Sequence, residues 1–506
     1  MNISLLLEMV SDAAPDRVML GARGGGGMTA GGLRQLCDDR AAWLCARGVR
    51  RVGFLGLNSP AFPAVLLSAA RSGAPFAPLN FRLPDAQLRG LMERIAPAVV
   101  VVDADMAERA GGIDGVEVVT TDRFIAGGPV FEARGQAGDT ELPFVDPDQV
   151  AVVLFTSGTT GQPKAALLRH RHLTSYVLST VEFLGAGEDE AQLVSVPAYH
   201  VAGVAGALSS LYSGRRVVYL PVFDPQRWVE VARSEAVTQA MVVPTMLERI
   251  VDTLSGDAAG LPSLRHLAYG GGRAPVALVE RAIGLLPHVS FVNAYGLTET
   301  SSTIAALTPE DHRECVASED PAVRRRLGSV GRPLPSVEVE IRDPGGTALP
   351  PGQRGEIYVR GEQVAGEYET GSVLGHDGWF PTRDAGWLDD EGFLFLDGRL
   401  DDVIVRGGEN LSPGEIEETL LAHPAVAEAV VVGIPDPEWG EAVAAAVVFR
   451  PGRTATVEEL KSFAKERLRS TKTPQVIQVR DNMPYNETGK LLRRVIKDSI
   501  AGVQTA

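Results

Sequence analysis

Residues 151–165 read AVVLFTSGTTGQPKA, an apolar strand pattern that runs directly into a loop rich in glycine, serine and threonine. Glycines let backbone N–H groups turn towards a bound anion, and hydroxyl side chains add short donors. The loop ends at Lys164, whose mobile point charge suits a phosphate group that must later leave. The spacing G-x-x-G-x-x-K differs from the Walker pattern. We interpret the stretch as a polyphosphate-binding loop; a polar surface turn is the alternative.

Lysine usage strengthens this interpretation. The chain carries 48 lysines and arginines together, yet Lys164 is the one lysine among the first 460 residues. The other lysines follow at positions 461, 465, 472, 490 and 497. A chain that uses arginine almost everywhere has kept a single ammonium group in this region, and it lies on the candidate loop.

Bulk composition excludes several classes of protein. A chain of 506 residues is too long for one core, so two or more domains are expected. A net charge of −16 argues against nucleic acid or an anionic membrane as the main partner. The N-terminal residues lack the basic region of a secretory signal, and no apolar run approaches the ~20 residues that span a bilayer. The sequence predicts a cytoplasmic protein without a membrane span.

Alternating patterns predict an α/β fold. Short apolar strands, such as 51–57 and 98–104, alternate with helical segments to about residue 300, which implies mainly parallel sheets covered by helices. Short strands with Gly and Pro turns from 328 to 397 predict a small antiparallel unit, or a β-barrel. We expect an N-terminal domain over 1–397, a hinge at 398–402 and a smaller α+β C-terminal domain over 403–506.

Five ordered motifs carry a family resemblance. They are TSGTTGQPKA (156–165), NAYGLTET (293–300), GWFPTRDAGWLDDEGFLFLDGRLDD (378–402), VRGGENLSPGEIE (405–417) and NETGKLLRR (486–494). Together they resemble the acyl-adenylate-forming superfamily of acyl- and aryl-CoA synthetases, nonribosomal peptide adenylation domains and firefly luciferase. Two departures are Ala165, where glycine is usual, and Arg383, where the family commonly has TGD.

The resemblance implies how ATP and Mg²⁺ are bound. Lys164 and Thr298 would contact phosphates, Glu299 would bind Mg²⁺, and Tyr295 would offer a flat face to adenine. A single carboxylate is enough, because magnesium takes one or two carboxylates plus substrate phosphates. The other implied nucleotide-binding residues are Thr156, Ser157, Gly158, Thr159, Thr160, Gly272, Arg273, Asn293, Ala294 and Gly296, with Asp384 and Arg399 at the ribose.

A second set of residues would serve two successive half-reactions. Lys490 would bridge the carboxylate and the α-phosphate, where charge develops during attack. Asp401 matches the family hinge, and Gly408 matches a glycine beside the tunnel for the coenzyme A thiol, with a turn glycine that needs positive φ as the alternative. Gly407 is a further implied cofactor-binding residue. His200 matches a gate residue at the carboxylate entrance, with a satisfied core histidine as the alternative.

The sequence limits the identity of the carboxylic acid substrate only by excluding candidates. The stretch AYHVAGV lacks the aspartate with which amino-acid-activating relatives pair an ammonium group. Gly296 stands where acetate-type relatives have tryptophan, and Gly203 and its neighbours are also small, so a large apolar pocket is expected. A fatty, an aryl and a bulky polycyclic acid all remain open. His170 and His172 lack partner carboxylates, and we expect them at the surface.

The sequence therefore predicts an acyl-CoA synthetase that uses ATP, Mg²⁺ and coenzyme A on a medium-to-large carboxylic acid. One alternative is an acyl-AMP ligase that loads a carrier protein, although no extra insertion is visible between 300 and 397. Another is a non-catalytic nucleotide-binding protein, which the retention of Lys164, Glu299, Asp384 and Lys490 disfavours. The oligomeric state stays open.

Overall fold

The computed structural model describes residues 1–127, 142–156, 163–257, 260–407, 409–485 and 491–504. The chain divides into two compact units. The first contains Met1–Leu327, Pro333–Glu338 and Val359–Phe380; the second contains Gly328–Arg332, Val339–Tyr358 and Pro381–Ala506.

The strands of the described residues are numbered in chain order. Those up to residue 307 are β1 Val18–Leu20, β2 Met28–Thr29, β3 Arg51–Leu55, β4 Phe76–Pro78, β5 Ala98–Val102, β6 Val116–Thr120, β7 Val150–Thr156, β8 Lys164–Arg169, β9 Ala191–Val194, β10 Arg216–Tyr219, β11 Gln239–Val242, β12 His266–Gly270, β13 Ser290–Leu297 and β14 Ser302–Leu307. The later strands are β15 Arg332–Pro333, β16 Glu338–Arg342, β17 Gly355–Arg360, β18 Glu367–Tyr368, β19 Gly371–Ser372, β20 Phe380–Leu388, β21 Leu394–Arg399, β22 Ile404–Arg406, β23 Glu409–Leu411, β24 Val426–Asp436, β25 Gly440–Phe449 and β26 Val476–Val479.

The α-helices alternate with these strands. Their bounds are Ser4–Ala13, Ala30–Ala46, Ala61–Ser72, Asp85–Ile95, Ala107–Ala110, Thr121–Ala126, His170–Thr180, Val201–Ser213, Pro225–Ser234, Pro244–Leu254, Val276–Leu285, Pro309–Ala317, Pro321–Arg325, Pro413–Leu421, Val457–Arg467 and Arg493–Gln504. Proline stands in the first turn of several of them, where its missing N–H costs nothing and its fixed φ suits the helix.

The first unit contains two large, mainly parallel sheets. One runs in the order β19-β18-β8-β7-β4-β3-β5-β6, and the other contains the consecutive strands β14-β13-β12-β11-β9-β10-β1-β2. Most neighbouring strands are parallel, whereas β7–β8 and β13–β14 are antiparallel. These two pairs join the strands beside predicted catalytic motifs, and β1–β2, β8–β18 and β18–β19 are antiparallel as well. Thr156 ends β7 and Lys164 begins β8, while NAYGLTET forms the second half of β13 and the turn after it.

One hydrophobic core joins the two sheets and surrounds helix Ala61–Ser72. Helix Ala61–Ser72 is buried along almost its whole length and ends at Gly73, whose φ of 77° is the left-handed cap that glycine adopts readily. Phe62 packs edge-on against Phe54 and Phe76, with ring centroids 5.6 and 5.5 Å away. The helix is apolar all round because strands and helices of the core surround it.

The second unit is built from two smaller sheets. The predicted antiparallel unit appears as the order β16-β17-β20-β21, and the C-terminal sheet has the order β23-β22-β25-β24 with β26 beside β25. The helices at Pro413–Leu421 and Val457–Arg467 supply Ile416, Leu420 and Leu460 to the core of the C-terminal sheet. The predicted α/β class with a smaller α+β C-terminal part is confirmed.

The prediction for His170 and His172 was wrong. Both rings are buried, because the N-terminal segment covers the start of helix His170–Thr180. The Ile3 N–H donates to Nδ1 of His170 at 3.3 Å, and the Arg169 N–H donates to Nδ1 of His172 at 3.2 Å. Burial lowers the pKa of each imidazole to about 4. Both histidines therefore serve the fold as neutral side chains.

Candidate active site

The motif NAYGLTET forms a strand that ends in a strained turn. After β13, Thr298–Thr300 make one 3₁₀ turn, and Ser301 and Ser302 follow with φ values of 59° and 137°. Positive φ is costly for residues with a Cβ and persists only where the surroundings impose it. The turn places the Glu299 side chain at the end of the strand, where it is partly exposed.

A distant segment imposes this turn. The fully buried amide of Gln363 donates to the carbonyl oxygens of Thr300 (3.1 Å) and Thr303 (2.8 Å). Farther along, the N–H groups of Ala365 and Gly366 donate to the Glu299 carbonyl oxygen at 2.8 and 3.1 Å. We call residues 363–369 the clamp segment. Because these hydrogen bonds fix the backbone at Glu299 and at the residues that follow it, the carboxylate starts from a defined position.

Lys164 stands at the neck of the predicted phosphate loop. It begins β8 opposite Thr156, the last residue of β7. Arg94 fixes this neck: its Nη1 donates to the Pro163 carbonyl oxygen at 2.8 Å, and its guanidinium lies 5.0 Å from the Phe155 ring centroid. The predicted phosphate contacts of Ser157, Gly158, Thr159 and Thr160 lie outside the described residues.

The clamp segment brings the two charged candidates of the first unit together. The Tyr368 hydroxyl donates a hydrogen bond to Oε1 of Glu299. The Lys164 Nζ lies 5.7 Å from the centroid of the same tyrosine ring. Sequence analysis missed Tyr368. The residue lies about seventy positions after Glu299 and outside the five motifs, so the sequence gives no sign of this contact.

The strand pair β12–β13 carries the predicted adenine site. Gly270 lies opposite Ala294 and Tyr269 lies opposite Asn293. A Cβ on Gly270 would come within 2.2 Å of the Ala294 carbonyl oxygen, so only glycine fits there. The Tyr295 ring is 8% exposed, while Gly272 and Arg273 lie in an exposed loop after β12.

The predicted ribose ligands pair with each other in the second unit. Asp384 and Arg399 lie directly opposite across β20–β21, with Nε 3.0 Å from Oδ1. Arg399 also donates to the Thr382 carbonyl oxygen at 3.0 Å. The Asp384 residue is 8% exposed, so the pair orients an almost buried carboxylate. A carboxylate held in this way is suited to accept hydrogen bonds from vicinal hydroxyls.

His200 caps the start of helix Val201–Ser213 and carries an unused nitrogen. Its Nε2 is buried and has no hydrogen-bond partner among the described residues. The ring centroid lies 4.6 Å from that of Tyr199. Burial, together with the positive charge of Arg82, lowers the pKa of His200 to about 4. A buried polar atom without a partner is costly, and a bound polar group such as a substrate carboxylate could satisfy it.

The second unit presents an aromatic residue beside the predicted thiol tunnel. Gly407 has φ 57°, and a Cβ there would lie 2.8 Å from the Trp439 ring. The Gly407 N–H donates to the Trp439 carbonyl oxygen at 2.8 Å, and the Arg406 guanidinium lies 5.7 Å from the indole centroid. Trp439 is nevertheless 45% exposed. Gly408 and Lys490 lie outside the described residues.

The structure contradicts the prediction that the small size of Gly296 leaves the acid pocket open. A Cβ on Gly296 would lie 1.9 Å from the Ser302 carbonyl oxygen, because β13 and β14 approach closely at an irregular register. A Cβ on Gly203 would similarly lie 2.8 Å from the Ala198 backbone. Both glycines are required by backbone contact, so their small size is no measure of pocket volume.

Comparisons with known proteins agree with this geometry. The family model described as AMP-binding enzyme matches residues 7–369, and the AMP-binding enzyme C-terminal domain matches 415–490. The chain belongs to the AMP-binding enzyme family. Among family members, feruloyl-CoA synthase of Amycolatopsis sp is 32% identical over 94% of each chain. The fatty acid–[acyl-carrier-protein] ligase ScoC of Streptomyces coeruleorubidus is 32% identical over 89% of this chain and 87% of its own.

Solved structures of the family extend the likeness to three dimensions. The o-succinylbenzoate CoA synthetase of Bacillus subtilis, in complex with its acyl-adenylate intermediate, gives a TM-score of 0.82 at 29% identity. The match covers 97% of this chain and 98% of that one. The predicted superfamily and enzyme class are confirmed: this AMP-binding enzyme is an AMP-forming ligase, of the class that uses ATP, Mg²⁺ and coenzyme A.

The described part of this AMP-binding enzyme contains no cluster of three or more His, Cys, Asp or Glu residues able to hold a metal. Glu299 alone suits the Mg²⁺ of a nucleotide complex, because phosphates supply further oxygen ligands. Within the same described ranges, no helix is long and apolar enough to cross a membrane.

Proposed function

We propose that this enzyme activates a medium-to-large carboxylic acid with MgATP and then transfers the acyl group to coenzyme A. The observation that carries the adenylation step is the convergence of Lys164 and Glu299 on Tyr368 within the first unit. An ammonium near the ring of one tyrosine and a carboxylate bonded to its hydroxyl provide separate sites for a phosphate and for a hard cation.

The proposed first half-reaction uses residues of both units. Lys164 and Thr298 bind phosphates, while Asp384, oriented by Arg399, accepts the ribose hydroxyls. Mg²⁺ on Glu299 would neutralise charge on the phosphates. Lys490 stabilises the negative charge that builds as a carboxylate oxygen attacks the α-phosphorus and pyrophosphate leaves. His200, neutral at physiological pH, offers its unpartnered Nε2 to the incoming acid.

Trp439 supports coenzyme A as the acceptor. Adenine stacks on aromatic faces, and such stacking is worth ~1–3 kcal/mol per base in other nucleotide sites. An indole that is 45% exposed, beside Gly407 and Arg406, has the chemistry of an adenine platform. We propose that the adenine of coenzyme A binds there, with its thiol directed past Gly407 and Gly408.

The proposal includes a hinge at 398–402 between domains over 1–397 and 403–506, with Asp401 as the pivot. It also includes a cytoplasmic place of action, where ATP and coenzyme A are supplied. For the acid, we propose an aryl or fatty carboxylate, since relatives include feruloyl-CoA synthase, indoleacetate–CoA ligase and 2-succinylbenzoate–CoA ligase.

A second acceptor is favoured by one relative. The Streptomyces ligase ScoC is named for a fatty acid and an acyl carrier protein, and the match covers 89% of this chain. A carrier-loading enzyme would need no adenine platform. A substitution of Trp439 therefore distinguishes coenzyme A from a carrier protein as the acyl acceptor.

The test is a panel of acids assayed for pyrophosphate and AMP release with coenzyme A, with an acyl carrier protein, or with neither. The panel contains ferulate, indole-3-acetate, 2-succinylbenzoate, octanoate and acetate. We expect AMP release to require coenzyme A and an acid larger than acetate. Trp439→Ala should raise the KM for coenzyme A about tenfold while leaving pyrophosphate release unchanged.

The matched control is Phe144→Ala, which removes an exposed aromatic side chain from the first unit. It should leave both half-reactions unchanged. AMP release that requires the carrier protein and ignores coenzyme A would replace this proposal by the carrier-loading function. Absence of pyrophosphate release with every acid would contradict the proposed substrate class.

A further inference from the structure

Tyr368 touches both charged candidates of the first unit and belongs to neither motif. Its hydroxyl donates to Oε1 of Glu299, and its ring centroid lies 5.7 Å from the Lys164 Nζ. The tyrosine lies in β18 opposite Ala166 of β8. Its backbone is thus attached to the strand that begins at Lys164, while its hydroxyl reaches the turn after β13.

Ion pairs hold this short strand in place on both sides of the tyrosine. Glu367 accepts two hydrogen bonds from Arg169, at 2.7 and 2.8 Å. Glu369 accepts one from Arg94 at 2.9 Å, and Arg94 is the residue that also fixes the neck of the phosphate loop. Bidentate and networked arginine pairs are the geometries that restrict side-chain orientation most. Tyr368 is therefore held in register with β8, the strand that begins at Lys164.

The tyrosine also keeps two opposite charges apart. No ion pair joins Lys164 to Glu299 in the part of the chain that the structure describes, although both contact the same ring. A direct ion pair would satisfy both groups and leave neither available to a phosphate or a cation. Hydrogen bonding of Oε1 to Tyr368 leaves Oε2 without a protein partner among the described residues.

We propose that Tyr368 is a positioning residue for adenylation: it orients the Glu299 carboxylate for Mg²⁺ and separates that carboxylate from the Lys164 ammonium. The inference rests on the proposed function, because it takes Glu299 as the metal ligand. Ligating carboxylates are themselves hydrogen-bonded in metal sites, and loss of such a partner commonly costs 10–100-fold in metal affinity. Tyr368 has this relationship to Glu299.

The first test measures metal binding without turnover. Mn²⁺ is titrated into the full-length protein with a non-hydrolysable ATP analogue and no carboxylic acid, and bound Mn²⁺ is followed by electron paramagnetic resonance. Tyr368→Phe keeps the ring and removes the hydroxyl, and should weaken Mn²⁺ binding about tenfold. Affinity for the analogue at saturating Mn²⁺ should change less than about twofold, since the ring still separates Lys164 from Glu299.

A second variant removes the separator itself. Tyr368→Leu takes away both hydroxyl and ring, so the Lys164 ammonium should pair directly with Glu299. We expect weaker binding of both Mn²⁺ and the ATP analogue, with at least a further fivefold loss for the analogue compared with Tyr368→Phe. The thermal unfolding midpoint of each variant is measured to confirm that the protein is folded.

Two matched variants make the outcomes distinguishable. Tyr358→Phe is the same chemical change at a tyrosine of the second unit and should alter neither affinity. Glu299→Gln tests the metal assignment. If Glu299→Gln weakens Mn²⁺ binding and Tyr368→Phe does not, Tyr368 has no positioning role and the proposed function stands. If Glu299→Gln also leaves Mn²⁺ binding unchanged, the metal site of the proposed function is wrong.

Discussion

Arg383 and Asp401 form an ion pair in which Nη2 lies 2.8 Å from Oδ1. Arg383 adopts φ 63°, a left-handed conformation that favours glycine. A strained residue next to Asp384 that contacts Asp401 links the predicted ribose site to the predicted hinge.

Arg383→Gly removes the ion pair and the strain together, whereas Arg383→Ala removes only the pair. Both partners are more than half exposed, so the pair is worth at most ~1 kcal/mol, while a non-glycine residue with positive φ costs ~1 kcal/mol or more. We expect the free energy of unfolding in urea to be higher for the glycine variant than for the alanine variant. Equal values would show that residue 383 is not strained.

The ion pair should also make the second half-reaction sensitive to salt. Surface pairs are screened as ionic strength rises, because the Debye length falls from about 10 Å at 0.1 M to 3 Å at 1 M. We expect the conversion of supplied acyl-adenylate to acyl-CoA to accelerate with salt in the wild type and to depend less on salt in Arg383→Gly. A salt dependence that is identical in both proteins would separate the pair from the hinge.

Lys490→Ala should abolish adenylation and spare thioester formation. An ammonium that acts on developing charge contributes to the transition state and little to ATP binding. We expect pyrophosphate release to fall more than a hundredfold while supplied acyl-adenylate is still converted to acyl-CoA. The control is Lys497→Ala, which removes a lysine that pairs with Glu441 at 3.0 Å in the same unit. A Lys490→Ala protein that keeps more than about a tenth of the wild-type adenylation rate would contradict the role of Lys490. A tenfold loss of rate corresponds to ~1.4 kcal/mol of activation free energy.

Acid should destabilise the protein between pH 6.5 and pH 4. Burial lowers the folded-state pKa of His170, His172 and His200 from an ordinary 6.5 to about 4, so the folded state favours the neutral rings. Their stabilising contribution is complete above pH 6.5 and is lost as pH falls towards 4, by up to about 3 kcal/mol for each ring. The measurement is the free energy of unfolding in urea at several pH values.

Two histidine variants test the cause of this fall in unfolding free energy at low pH. His172→Gln should reduce the steepness of the decline, since one proton fewer is taken up on unfolding. His376→Gln changes an exposed histidine and should leave the slope as in the wild type. If His172→Gln leaves the pH dependence of the unfolding free energy unchanged, groups other than His172 dominate the loss of stability in acid.

Gly296→Ala should destabilise the protein and impair adenylation. The added methyl group would lie 1.9 Å from the Ser302 carbonyl oxygen, so β13 and β14 would have to separate at the turn that carries Glu299. Gly284→Ala is the matched control, because a Cβ there meets nothing within 4 Å and helix Val276–Leu285 should gain about 0.5–1 kcal/mol. Melting temperature and pyrophosphate release are measured for both. A Gly296→Ala protein as stable as the wild type would contradict the close approach.

Local patterns predicted the strands and the motif ends well, because apolar periodicity and loop composition are local properties of a chain. The strands at 51–57 and 98–104 followed from such patterns. The same patterns could not reveal Gln363 or Tyr368, whose hydrogen bonds reach turns more than sixty residues away in sequence. Long-range contacts leave no period in the sequence.

Two wrong predictions from the sequence have a common physical origin. Gly296 looked like open pocket volume and is instead required by a neighbouring backbone, and His170 and His172 looked like surface residues and are instead buried under the N-terminal segment. In both cases the residue type was compatible with two environments. What decided between them was the position of another part of the chain, and residue type alone carries no information about that.

The dependence of the Glu299 turn on the clamp segment has a consequence for incomplete sequences. A gene fragment or a proteolytic product that ends before Gln363 would still contain NAYGLTET in full. It would lack the amide and the two N–H groups that hold the turn at Glu299 and after it, and the tyrosine that donates to its carboxylate. Such a fragment would be recognised by its motif and would be unable to form the proposed magnesium site, so an inventory of active enzymes should require residues 363–369 as well as the signature.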